Sequence, residues 1–235
     1  MKKTLLYAVL SLSTILVKGQ DIEWSLNVAP GISYRIPQSS SLNTQAASIQ
    51  FGEKAMYVFD FGVDIRKSLT PRVRFGTGVL YSQKGFSNNN VAAAYSGLTL
   101  NRRYLVDFIQ NYIEIPFFLS YDLIQSDQLR FYALAGVNNS LLVNDKNSVT
   151  VTKGEASEEI VKRLEEPYLQ NKVLHNFGTL AGLGVTTTVD SKTSLGVELI
   201  GKLIASPLYD QVSNTRRHLY SLNMNFRFIR KLANQ

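Results

Sequence analysis

The feature that most constrains this chain is a two-residue rhythm of apolar and polar or small side chains. Successive residues of a strand point to opposite faces, so a sustained period of two is strand chemistry. From Ile22 to Ile36 the even positions carry Ile22, Trp24, Leu26, Val28, Pro30, Ile32 and Tyr34. The odd positions carry Glu23, Ser25, Asn27, Ala29, Gly31, Ser33 and Arg35. Seven further segments repeat the pattern: Ala55 to Lys67, Val73 to Phe86, Phe108 to Tyr121, Leu129 to Val143, Val173 to Val189, Ser194 to Ser206 and His218 to Ile229. Glycine inside most of them argues against helices. Pro116 removes a ladder donor in mid-strand, which predicts a bulge or local break there.

The connections alternate too. Three are short and rich in turn formers: 69–72, 122–128 and 190–193. The others are longer: 37–54, 87–107, 144–172 and 207–217. Short turns at one end and long loops at the other are the asymmetry of barrels that cross an outer membrane, and an even strand number returns both termini to the turn side. A soluble sandwich or lipocalin-like barrel would alternate equally well, but with its apolar face inward. Here the apolar faces hold large aliphatic and aromatic residues, and the opposite faces are dominated by Gly, Ser and Asn. A barrel of about eight strands has an interior just wide enough for side chains, so small residues belong inside. Trp24, Tyr34, Tyr57, Tyr81, Tyr121 and Tyr220 are expected in interfacial girdles. The expectation is an all-β, eight-stranded antiparallel up-and-down transmembrane barrel with short periplasmic turns and longer outer loops, located in a bacterial outer membrane and surrounded by its lipid.

The ends agree. Met1-Lys2-Lys3, an apolar stretch from Leu5 to Val17, and Lys18-Gly19 read as a secretory signal over residues 1–19, cut before Gln20, leaving 20–235 as one barrel domain. The apolar stretch is shorter than the roughly 20 residues of a helical span. The chain has no cysteine, which removes lipid anchoring through cysteine, disulfides and thiolate metal sites. Mean hydropathy is −0.04, the average that alternating strands produce. Loss of Lys2, Lys3 and Lys18 would lower the formal charge from +7 to +4. The remaining basic residues are scattered, so no nucleic-acid partner is expected.

The polar set that falls on inward parity is Glu23, Arg35, Asp60, Asp64, Arg66, Arg74, Lys84, Glu114, Arg130, Glu198, Lys202 and Arg227. A lone buried charge is very costly, so both signs together predict an internal network of ion pairs that plugs the lumen. Glu114 with Arg74 or Arg130 is the expected central pair, because the strands concerned are neighbours. The competing reading of the same residues is a narrow channel for ions or small solutes. A third reading is an outer-membrane lipid-modifying enzyme. It would use His175 or His218, both on outward parity near the loop end, with Ser206 or Ser213 and Asp210 nearby. No GxSxG motif, paired metal-ligand spacing or phosphate loop accompanies them, so no catalytic, metal or cofactor residue is assigned and no enzyme is expected. Residues 155–170 read as a short charged helix in the third long loop, either a solvated surface element or a cap that binds a partner.

Two segments carry a resemblance. Leu80-Tyr81-Ser82-Gln83-Lys84-Gly85 followed by Tyr112-Ile113-Glu114-Ile115-Pro116 is similar to the paired LYSQKG and YLEIP signatures of the PorT-like outer-membrane β-barrel proteins of Bacteroidetes. Ala135-Gly136, residues 178–185 (GTLAGLGV) and Leu195-Gly196-Val197-Glu198 resemble the strands that follow in that family. The likeness spans about Val58 to Phe228. It implies the barrel fold. It carries function only weakly, since most members are unassigned, although the founding member's link to protein secretion implies an envelope or secretion-complex partner. The oligomeric state is open.

Overall fold

A computed structural model describes residues 22–38, 53–88, 103–153, 174–205 and 216–232. The expected signal segment, the residues 155–170 expected as a charged helix and most of the four long loops lie outside these residues. Eight long strands form: β1 (Ile22–Gln38), β2 (Met56–Ser68), β3 (Val73–Asn88), β4 (Arg103–Gln125), β5 (Leu129–Lys153), β6 (His175–Thr188), β7 (Thr193–Ile204) and β8 (Arg216–Lys231). Each pairs antiparallel with its neighbour in sequence. β1 also pairs with β8, from Glu23↔Lys231 to Gln38↔Arg216, so the sheet closes. The pair Glu53–Lys54 extends the β2 edge against Ser87 and Asn88, one residue out of register with the pairs from Asp60↔Ser82 onward. Closure leaves no open edge within the ring, the condition for strands to cross hydrocarbon.

Several boundaries differ from the sequence expectation, most at β4 and β5. β4 and β5 run to 23 and 25 residues, so 103–107 and 144–153, expected as loop, are strand. Asp122, expected at the start of a turn, lies within β4. Pro116 makes no bulge on the β5 side, where the register is unbroken from Tyr112↔Leu142 to Asp122↔Tyr132. Toward β3 the ladder skips from Thr77↔Phe117 to Leu80↔Glu114 and resumes at the same offset, a local break that the missing N–H explains. Pro30 does likewise: its strand pairs normally with Phe59 in β2, but the ladder to β8 skips from Val28↔Phe226 to Gly31↔Asn223. The register shifts of this ladder lie elsewhere, at Arg103/Tyr104, at Asn111/Tyr112, where β5 inserts Val143, and at Asp122/Ile124.

The short turns are closed by their own side chains. Thr70 Oγ1 accepts from the backbone N–H of Arg72 and Val73 at 3.3 and 3.0 Å. Asp190 Oδ1 accepts from those of Lys192 and Thr193 at 2.7 and 2.8 Å. Ser126 Oγ donates to Leu129 O and accepts from Leu129 N–H, both at 3.1 Å.

The outer wall is apolar and uncovered. Leu26, Val28, Phe61, Val63, Ile65, Leu119, Val137, Leu183, Leu199, Met224 and Phe226 are all exposed. A soluble monomer rarely exposes more than a few hundred Å² of contiguous apolar surface, so this wall is built for lipid. Tyr34 and Tyr220 stack at 5.4 Å toward the loop end, and Tyr121 stands at the turn end, as girdle residues should. Tyr81 does not. It packs on Phe61 at 5.2 Å in the middle of the wall. Asn111 is buried although it shares the outward parity of Ile115 and Phe117.

Candidate functional site: the charged lumen

Every acidic or basic residue expected to face inward does so. Glu23, Arg35, Asp60, Asp64, Arg66, Arg74, Lys84, Glu114, Glu198, Lys202 and Arg227 are buried, and the Arg130 side chain keeps 18% of its exposure. All but Arg35, joined by Asp122, form three groups stacked along the barrel axis.

Nearest the turns, Arg130 Nη2 lies 3.2 Å from Glu23 Oε2, and Arg74 pairs with Asp122. Above them Arg66 Nη2 reaches Glu198 Oε1 at 2.7 Å and Arg66 Nε lies 3.4 Å from Asp64 Oδ1. Arg227 bridges the same two carboxylates, at 2.9 Å to Asp64 and 3.3 Å to Glu198. Polar neighbours complete this group. The Tyr132 hydroxyl donates to Glu198 at 2.6 Å, Asn225 Nδ2 donates to Glu198 at 2.9 Å, and Asn27 Nδ2 donates to Asp64 at 3.0 Å. The Arg66 guanidinium also lies 4.7 Å from the Phe118 ring centre, a cation–π contact. In the third group Lys202 Nζ donates to Asp60 at 2.6 Å and to Glu114 at 2.7 Å, while Lys84 pairs with the other Glu114 oxygen. Ser82 donates to Asp60 at 2.7 Å and Ser140 to Glu114 at 3.3 Å.

The charge count matters. Each group holds two cations and two carboxylates, so each is neutral by itself. Burying charges this deeply is tolerable only with such pairing and extra hydrogen bonds. The expected partners of Glu114 are therefore corrected. It meets Lys84 and Lys202, while Arg74 goes to Asp122 and Arg130 to Glu23. A narrow lumen lets a side chain meet residues across the ring as readily as those on the next strand. Lys202 of β7 spans to Asp60 of β2 and Glu114 of β4 in this way.

Three further contributors complete the lumen, of which Phe118, Tyr132 and Tyr112 fall on the inward parity expected of them. Asp122 continues the inward parity of Glu114, Phe118 and Ser120, although the sequence places it in the short connection 122–128. Tyr132 and Phe118 enter the lumen because glycines face them. A Cβ on Gly184 would sit 2.6 Å from the Tyr132 ring, and one on Gly76 2.3 Å from Phe118. The third is an apolar cap toward the loop end, made by Phe86, Tyr112, Leu142, Ile204 and Leu219 with Phe108 packed on it. Arg35 lies 3.8 Å over the Phe86 ring. Tyr112 is expected inward from its parity, whereas Phe86, Leu142, Ile204 and Leu219 share that parity but are apolar like residues of the wall.

Two separate spaces lie inside the barrel among the described residues. A cavity of about 470 Å³ opens at the turn end and is lined by Glu23, Asp122, Arg130, Thr186, Ser194 and Lys231 among others. Deeper in, an enclosed space of about 30 Å³ lies among Asn27, Asp60, Lys202, Asn223 and Asn225, enough for about one water. His175 is exposed, and His218 is half-buried with Nδ1 3.1 Å from Ile204 O. Ser206, Asp210 and Ser213 lie outside the described residues. Among the described residues no group of three His, Asp or Glu side chains is placed to hold a metal.

A closed antiparallel ring, a lipid-compatible wall and a self-compensated lumen define a small outer-membrane β-barrel. The chain belongs to the outer membrane protein beta-barrel domain family, whose model matches residues 18–200. No curated protein sequence matches it. Among solved structures it is similar to OprG from Pseudomonas aeruginosa, at 12% identity over 92% of this chain and 98% of that one, with a TM-score of 0.50. It is also similar to the outer membrane protease OmpT from Escherichia coli (10% identity, 92% and 98% covered, TM-score 0.45) and to Neisserial surface protein A (14%, 87% and 95%, 0.39). At these identities the likeness concerns fold. The protein resides in the bacterial outer membrane.

Proposed function

We propose that this barrel is a closed, non-conducting protein of the outer membrane that works as a structural or interaction component of the envelope. The observation that carries this reading is the obstructed lumen: three neutral charge groups stacked beneath an apolar cap. A conduit needs a continuous wet path, and immobile paired charges under packed aromatic rings oppose one. Surfaces available to partners are then the rim, the loops and the periplasmic turns, and no catalytic role is assigned to any residue. We also place the chain in the PorT-like branch, on the strength of residues 80–85 (LYSQKG) and 112–116 (YIEIP), which supports a partner in protein secretion. Lys84, Tyr112 and Glu114 of those two motifs meet inside the lumen, so the motif residues also build the plug. Extraction from the native envelope in mild detergent tests the interaction reading. Co-purification with a stoichiometric envelope protein is expected, and a strictly monomeric species without partner contradicts it.

A further inference from the structure

The outer wall is not uniform around the ring. Toward the turn end β8 presents Phe226 and Phe228, with Leu195 of β7 and Leu26 of β1 beside Phe228, and β6 follows with Val185 and Thr187. The valine and threonine are short beside the two phenylalanines, and the wall sinks into an open apolar groove of about 590 Å³. A gap against an apolar wall forfeits dispersion contacts, so a lipid chain gains by filling it.

The margin of the groove is charged. Arg230 stands two residues beyond Phe228 on the same face of β8 and pairs with Thr193 of β7 and Trp24 of β1. Lys192 lies beside it in the turn, where its carbonyl accepts from the N–H of Lys231 at 2.8 Å. Arg230 and Lys192 are exposed and Trp24 is half-buried. The same turn holds one carboxylate, Asp190, whose Oδ1 is already occupied by the backbone N–H groups of Lys192 and Thr193. Two cations against one carboxylate leave this margin positive. At the opposite flank, beyond Leu129, the turn 126–128 carries Asp127 and no cation. A negative group therefore belongs on the side of β7, β8 and β1.

We infer that this groove is a binding site for an anionic phospholipid of the leaflet on the turn side. Its acyl chain fills the groove, and its phosphate-bearing head lies against Arg230 and Lys192 beside the interfacial ring of Trp24. The wall itself asks only for an apolar chain, so selectivity comes from the margin. A zwitterionic lipid fills the groove equally well but brings an ammonium to the same two cations, which favours the anionic class. The site is separate from the rim, loops and turns offered to protein partners, and it stands or falls independently of the interaction reading above.

Trp24 is the only tryptophan in the chain, so its fluorescence reports on this margin alone. The test is its quenching by brominated acyl chains, with the intact barrel reconstituted into phosphatidylcholine vesicles. Brominated phosphatidylglycerol is expected to quench Trp24 beyond its share of the lipid, with an enrichment of about fivefold, the effect of one basic residue near a membrane surface. Brominated phosphatidylcholine should quench in proportion to its share. Arg230→Glu and Lys192→Glu should each remove most of the enrichment, and Arg230→Lys should keep it. Thr187→Phe, which fills the groove and leaves the charges in place, should reduce it. Lys146→Glu makes the same change of charge at an exposed position of the loop end and should leave it unaltered. Quenching of the parent protein by the anionic lipid in simple proportion to its share would overturn the inference whatever the variants do. So would an enrichment that survives Arg230→Glu combined with Lys192→Glu, or one that Lys146→Glu abolishes as fully, because the attraction would then be to the charge of the whole barrel.

Discussion

The two surfaces of the barrel are made by the same strands and obey opposite rules. The outer wall is non-specific. Leu199 is exposed on the outer wall, as are Leu183 and Met224 beside it, and any of the three needs only to be apolar to face lipid. The inner wall is specific. Glu198, one residue away, must accept from Tyr132, Asn225, Arg66 and Arg227 at once. Hydrocarbon is forgiving of shape and intolerant of charge, whereas the lumen tolerates charge only in matched sets.

That contrast can be broken from either side. The largest loss is expected from Glu114→Gln, which leaves the Lys84 and Lys202 ammoniums facing a neutral amide. Removing one member of a buried ionic set costs roughly 3–5 kcal/mol. Urea unfolding in lipid vesicles should show it, and Lys84→Met in the same chain should recover part. From the other side, Leu199→Arg places a charge at mid-wall and should cost about 2–4 kcal/mol by the same assay, whereas Leu199→Ile should be close to neutral.

A third variant sharpens the point that the lumen is shape-selective as well. Gly184→Val drives a side chain into Tyr132 and so disturbs the hydroxyl that donates to Glu198. Overpacking of this kind costs roughly 1–3 kcal/mol. Tyrosine absorbance should report a changed Tyr132 environment even where the barrel still folds.

The smallest effect lies outside both walls. The backbone N–H groups of Lys192 and Thr193 hold the Asp190 carboxyl below the usual carboxylate range. A carboxyl whose folded value is depressed adds stability that is present above its ordinary range and is lost as pH falls through the folded value. Asp190→Ala should therefore lower stability slightly at neutral pH, and the difference from the parent should vanish in acid below that range, as paired urea titrations would show.

The inward parity of the charges was legible because a period of two sorts residues without any knowledge of partners. Glu23, Asp60 and Lys202 needed only their place in the alternation. Which charge meets which was not legible. It depends on the stagger between strands on opposite sides of the ring, and that stagger leaves no local trace in the sequence. The outer reach of β5 was hidden for another reason. Residues 144–148 (NDKNS) are polar on both faces once the strand leaves the membrane, so alternation disappears and strand looks like loop. The cap was hidden by the reverse: Phe86, Leu142, Ile204 and Leu219 are apolar on a face that is otherwise polar.

The central claim is that the lumen is closed. Reconstitution of the purified protein into planar bilayers, with current recorded across a range of voltages and salt concentrations, tests it most directly. The account predicts a silent membrane at every voltage with folded protein inserted. Discrete current steps from the unaltered protein, growing with salt concentration, would contradict it.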